Sequence, residues 1–344
     1  MRSRLAAIGE LVMTTMLRRA ALAGAIFALL SFPAHAEKLL KLNESLGPGS
    51  PEELALQHFK KLVEEGSKGE VKIAIHLQDA LGKPTQALES LTIGALDLYS
   101  GALEYYAPIV GEEINAISLP YLVTSHNHLR AYLKSPAFKK AEEKLLARGI
   151  RVISTEWNAD RGPYRVLVSA KAVRNADDLK GLKVRMFPNE VYVRSWKQLE
   201  TVPIQLAWTE TYLGIRQGVV NAVTAPLSLV RSMKFTEVAP FIVEIKEYPQ
   251  TWPITISERT WKKLSADEQQ LLVRAANEAG TVYAKTTMER AQDDVAAMIR
   301  DNKAEIVKID TEALRAKLQP LYAELIKEKA LSQELYDTVN ALPR

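Results

Sequence analysis

Apolar residues fall into two rhythms along the chain. Leu54, Phe59, Leu62 and Val63 recur at the three- and four-residue spacing of one helix face. Ser50-Pro51-Glu52-Glu53 in front of them offers a cap, a proline at the first helical position and a glutamate three residues after the cap. Gly66 closes the run. Val71, Ile73, Ile75 and Leu77 alternate, which is the period of a strand. Before the helix, Leu39, Lys41 and Asn43 open a short extended segment that ends at the Gly47-Pro48-Gly49 turn. After the strand, residues 84–94 read as a second helix with Ala87, Leu88 and Leu91 inward, and residues 96–99 as a third strand. Strand, helix, strand, helix, strand predicts a parallel sheet with right-handed crossovers.

The same order returns in residues 182–223. A strand is expected over 182–187, a helix over 189–200, a short strand over 202–206, a helix over 209–217 closed by Gly218, and a strand over 219–223. Pro203 fits the third of these only near its start or on a sheet edge. No residue-level repeat links the two halves. Two α/β units in one chain predict a cleft between them, where small ligands bind. Ser265-Ala266-Asp267-Glu268 is a further capping box. From there to residue 302 there is no proline and a single glycine, Gly280, so one helix of roughly 55 Å is expected, crossing both units or kinked at Gly280. Pro320 is expected to break the helical pattern that follows.

The N-terminus changes the picture. Arg18 and Arg19 precede an apolar run from Ala20 to Phe32, broken by Gly24 and Ser31; Pro33 and Ala34-His35-Ala36 follow. That is the order of a secretory signal cleaved after Ala36. The run is shorter than the ~20 residues that span a bilayer. Met16 is an alternative start to Met1, and no cysteine follows the cleavage site to carry a lipid. The 344 residues hold no cysteine, so an exported chain must rest on its core alone. The 45 basic and 41 acidic residues, net +4, are interspersed and form no basic stripe for nucleic acid.

Catalytic and metal motifs are largely missing. Gly82-Lys83 is no phosphate loop, because Leu77 stands where its first glycine belongs and Pro84 where its hydroxyl belongs. No nucleophile elbow and no dinucleotide fingerprint occurs. His126 and His128 lack accompanying carboxylates or thiols and read as a polar helix start. Asp177-Asp178 read as a turn or cap. No catalytic residue, metal or cofactor is therefore expected. What remains are Arg165 and Arg185, both flanked by strand-like residues, and Trp208 after a short strand. A guanidinium forks onto a carboxylate with two parallel hydrogen bonds. A strand arginine is more commonly a salt-bridge partner, and a lone tryptophan more commonly core.

Leu179-Lys180-Gly181-Leu182-Lys183-Val184-Arg185 resembles the central motif of the substrate-binding proteins of tripartite ATP-independent periplasmic (TRAP) transporters, of the DctP type. Leu81-Gly82, Gly94-Ala95-Leu96-Asp97, Leu119-Pro120-Tyr121, Trp208-Thr209-Glu210-Thr211-Tyr212, Gln217-Gly218-Val219-Val220-Asn221 and Trp261-Lys262-Lys263-Leu264-Ser265 resemble the same family in the same order. The resemblance implies a two-lobed α/β fold, each lobe a mixed sheet flanked by helices, with a long C-terminal helix spanning both. Its approximate division is 1–36 signal peptide, 37–161 with 252–285 as one lobe, and 162–251 with 286–344 as the other. It implies a periplasmic protein that captures a small organic carboxylate in the interlobe cleft and delivers it to the TRAP permease subunits, as a monomer or homodimer. Presentation of the acid to a sensor kinase is the alternative. Arg185 corresponds to the family's carboxylate-binding arginine, Arg165 to a second ligand-facing arginine and Trp208 to an aromatic wall. Tyr99, Tyr105, Tyr106 and Trp252 are further candidates for the lining, with core packing as the competing role. The sequence departs from the family at Asn221-Ala222-Val223-Thr224-Ala225-Pro226: Ala225 stands where many members have a ligand-contacting Asn, beside Thr224. That departure predicts a less polar wall there and a smaller or partly apolar acid.

Overall fold

A computed structural model describes residues 37–344. The signal peptide expected in 1–36 lies outside the described residues, with its cleavage site. Leu39–Arg344 form one compact unit, and its architecture is mixed α/β with two sheets. The first sheet holds β1 (Lys38–Glu44), β2 (Val71–His76), β3 (Leu98–Ser100), β4 (Ile150–Val152) and β10 (Ile254–Ser257), in the order β2-β1-β3-β10-β4. The second holds β5 (Arg165–Ser169), β6 (Lys183–Met186), β7 (Val202–Gln205), β8 (Ala222–Pro226), β9 (Phe241–Val243) and β11 (Glu305–Val307), in the order β11-β9-β5-β8-β6-β7.

Local signals place most elements as the sequence predicts. Ser50 Oγ accepts from the Glu53 amide at 3.1 Å and starts the helix Pro51–Gly66. Ser265 and Glu268 close a reciprocal capping box at the head of Ala266–Glu289. Pro203 sits in β7, the edge strand, where its missing donor costs no ladder bond. The parallel sheet read from the order of elements is corrected, in favour of the mixed sheets that the resemblance implies. β10 returns from the far side of the chain and pairs antiparallel with both β3 and β4, and β5 pairs antiparallel with β8 and β9. Both sheets are therefore mixed.

The long helix also differs from expectation. It runs over Ala266–Glu289 and Ala291–Asn302, interrupted at Arg290 and not at Gly280. The break is one residue wide: the Arg290 amide still reaches the Thr286 carbonyl at 3.1 Å, and the Asp294 amide reaches Arg290 at 2.8 Å. The first piece packs along Pro51–Gly66, beside the first sheet; the second packs on Leu227–Val230, beside the second. Pro320 does not end its helix either, since Thr311–Lys327 continues through it. Leu314 and Leu318 before the proline, and Leu321 and Leu325 after it, are all buried and hold both turns in place. Among the described residues, no helix is long and apolar enough to cross a membrane.

Candidate functional site

The two sheets present their strand ends to a common cavity of about 490 Å³ of empty space, open solvent at its mouth included. Arg185 comes from β6, which has a strand on each side; Arg165 opens β5, also interior. Thr224 comes from β8, and Trp208 from the turn after β7. From the first sheet come Glu44 and Ser45 at the end of β1, Tyr99 on β3, and Glu104 and Tyr105 on the turn that follows. Arg161 and Gln250, from the two segments that carry the chain between the sheets, complete the floor.

The three arginines are not equivalent. Arg161 donates from Nε and Nη2 to Glu52 Oε1 at 3.2 and 2.9 Å. Arg165 donates to Glu247 Oε1 at 2.7 Å, Gln250 Oε1 at 3.1 Å and Thr224 Oγ1 at 2.8 Å, with its guanidinium 4.8 Å from the Tyr248 ring centre. Each thus has a buried carboxylate of its own. Arg185 is only 4% exposed, yet its bonds go to the Leu206 carbonyl at 2.8 Å and the Tyr105 hydroxyl at 3.3 Å, both neutral. Its guanidinium lies 5.2 Å from the Trp208 ring centre. No carboxylate of the described residues forms an ion pair with it. A buried charge without a counter-charge is costly, and an anionic ligand in the cavity removes that cost.

Two carboxyl groups stand on the opposite wall. Glu44 is fully buried and accepts from Ser100 Oγ at 2.7 Å, Trp252 Nε1 at 2.9 Å and the Leu46 amide at 3.1 Å. Burial, aided by the neighbouring Glu52 carboxylate, pushes its carboxyl up to about 7 from 4.5. Burial raises Glu104 as well, against the pull of Arg165. Its Oε2 has no hydrogen-bond partner, nor have Tyr99 Oη and Trp208 Nε1. Among the described residues no cluster of three or more His, Cys, Asp or Glu is arranged to hold a metal ion.

Of the residues singled out in the sequence, Arg185, Arg165, Trp208, Tyr99, Tyr105 and Thr224 line the cavity. Trp252, Tyr106 and Ala225 are not brought to it. Trp252 packs at 5.0 Å on Tyr283 and holds Glu44 from behind. Tyr106 is turned to Thr255 Oγ1, 2.8 Å away. Ala225 alternates with Thr224 on β8, so it faces the core beside Val166, Val168 and Val223. The polarity of the wall is therefore not set by Ala225, and the inference drawn from it does not hold. Glu44, Glu104, Arg161 and Gln250 carry no sequence signal of a site. Arg161 lies four residues before Arg165 in an irregular segment, where spacing alone points nowhere.

The family model described as "Bacterial extracellular solute-binding protein, family 7" matches residues 42–329. The sialic acid-binding periplasmic protein SiaP of Vibrio cholerae is 26% identical over 295 residues, 84% of this chain and 89% of its own. The C4-dicarboxylate-binding periplasmic protein DctP of Rhodobacter capsulatus is 25% identical over 280 residues, 81% of this chain and 83% of its own. A TRAP periplasmic solute-binding protein of Polaromonas sp. JS666, solved bound to D-erythronate, superposes with a TM-score of 0.79 at 25% identity, covering 90% of this chain and all of that one.

Proposed function

Since the chain belongs to family 7 of the bacterial extracellular solute-binding proteins, we propose that it captures a small organic carboxylate in the cavity between its sheets and hands it to the membrane subunits of a TRAP transporter. One observation carries this reading: Arg185, buried in the cavity wall, has only neutral partners. A carboxylate accepting two charge-assisted bonds from its guanidinium supplies the missing counter-charge. Trp208 lies against that guanidinium and shields it from water, which strengthens the bond. Arg165 is held by Glu247, Gln250 and Thr224 and acts as a rigid, charge-balanced wall.

The ligand touches both walls, so it favours the closed arrangement by the contacts available only there. Closure moves lobe 37–161 with 252–285 against lobe 162–251 with 286–344. The protein works in the periplasm, exported by the N-terminal segment with cleavage after Ala36, and releases its acid unchanged. Binding without chemistry fits the family of solute-binding proteins to which the chain belongs.

Calorimetric titration with D-erythronate and with succinate tests the assignment of Arg185. Two charge-assisted bonds of about 1.5 kcal/mol each predict a loss of roughly a hundredfold in Arg185→Ala for whichever acid binds. The ligand-free variant should melt no lower than the wild type, because it sheds an unpaired buried charge. Unchanged affinity would remove Arg185 from the site.

A further inference from the structure

The two walls of the cavity have opposite character. The second sheet contributes Arg165 and Arg185 with the Trp208 indole, all hydrogen-bond donors. The first sheet and the turn after β3 contribute Glu44, Ser45, Tyr99 and Glu104, which are acceptors or hydroxyls. Two atoms of that wall are buried without a hydrogen bond: Tyr99 Oη and Glu104 Oε2. The two residues are 0% and 2% exposed. Buried polar atoms of native proteins are almost always satisfied, and two orphans on one cavity wall point to polar groups brought by the ligand.

Resting on the carboxylate reading above, we infer that the ligand is a monocarboxylate whose other end carries hydroxyl groups, and that the wall of Ser45, Tyr99 and Glu104 reads those hydroxyls and turns away a second carboxylate. A carboxylate only accepts hydrogen bonds. Set against Glu104 it meets like charge, and the nearest cations, Arg161 and Arg165, already hold Glu52 and Glu247. A hydroxyl donates to Glu104 and exchanges bonds with the Tyr99 and Ser45 hydroxyls in either direction. It also matches both protonation states of the two acids, donating to a carboxylate and accepting from a carboxylic acid. An alkyl end would leave both orphans unsatisfied, and a site built for hydroxyls rejects the analogue that lacks them.

Calorimetric titration of the purified protein with two matched sets decides this: D-erythronate, succinate, butanoate and 4-aminobutanoate at four carbons, and D-gluconate, adipate, hexanoate and 6-aminohexanoate at six. The hydroxylated monoacid is expected to bind at least tenfold tighter than the other three in at least one set. Tyr99→Phe, which removes only the orphan hydroxyl, should weaken that acid about threefold to tenfold and leave the matching dicarboxylate unchanged. Glu104→Gln should raise the affinity of the dicarboxylate relative to the hydroxylated acid. A dicarboxylate, alkyl acid or amino acid that equals the hydroxylated acid in both sets overturns the inference and leaves the carboxylate reading standing. A hydroxylated acid whose affinity survives Arg185→Ala overturns the carboxylate reading and the inference with it, as does a failure of all eight acids to bind.

Discussion

Arg165 and Arg185 are one residue type on strands separated only by β8, and they do different work. Their flanks are alike in the sequence, so residue type and strand periodicity could nominate both and rank neither. The difference lies in what the fold brings near. Glu247 reaches Arg165 from 82 residues away, and among the described residues no acid pairs with Arg185. Glu44, Glu104 and Arg161 were illegible for the same reason, because a lone acid at a strand end or in a turn becomes a site residue only through distant neighbours. Burial has one consequence that can be measured directly. Glu44 titrates at about 7 in the folded protein against 4.5 ordinarily, so the fold binds an extra proton between those values. Its contribution to stability is full below pH 4.5 and fades as pH rises through 7. Thermal melts at pH 5 and pH 8 should show the wild type losing stability over that range and Glu44→Gln losing markedly less. Parallel losses in the two proteins would place the titration elsewhere.

Elements with a capping residue at their head were readable, because a cap is a local event between residues three apart. Ser50, Asn189 and Ser265 all accept from the first turn of their helices. Strands of three residues such as β4, β9 and β11 are too short for a period to register, and strand direction depends on partners distant in sequence. The expected strand over 219–223 is in fact Ala222–Pro226, its later residues held by pairing along β5. Gly280 shows why a glycine in a helix has more than one reading. It is not a kink. A side chain there would put its first carbon 2.4 Å from Asn158 Oδ1, in the segment that crosses from one sheet to the other. Asn158 cannot swing away cheaply, because its Nδ2 donates to the Asn277 carbonyl at 2.9 Å and to Thr281 Oγ1 at 2.8 Å. Replacing a mid-helix glycine by alanine ordinarily gains up to ~1 kcal/mol. Gly280→Ala is expected to lose about 1–3 kcal/mol instead, by the cost of overpacking. A urea melt would read the sign, and a stabilised variant would show that the helix and the crossover need not lie so close.

At the scale of the molecule, the walls of the cavity belong to different sheets, so whatever ties the sheets together also governs the ligand. Behind the cavity, Gln250 Oε1 accepts from both Arg161 and Arg165 at 3.4 and 3.1 Å and joins the two buried ion pairs. Elsewhere, Lys83 Nζ reaches Glu210 Oε1 at 2.6 Å, and Thr209 Oγ1 reaches Asp79 Oδ2 at 3.4 Å. Lys83 stands at the head of the helix Pro84–Ile93 beside the first sheet, and Glu210 ends the turn that carries Trp208 beside the second. An ion pair half open to water, as this one is, contributes no more than about 1 kcal/mol. That is little for folding but enough to shift a balance between open and closed arrangements severalfold. Lys83→Glu sets the introduced carboxylate against Glu210 across the gap, with Asp79 beside it on the near side, and should populate the open arrangement and enlarge the radius of gyration of the ligand-free protein in small-angle scattering. Adding Glu210→Lys restores opposite charges and should return the radius to that of the wild type. High salt should shrink the difference between the single variant and the wild type, since exposed charges are screened over ~8 Å at physiological ionic strength. Should Lys83→Glu leave the radius unaltered at low salt, the pair is a surface contact and closure rests on the ligand and the buried network around Gln250.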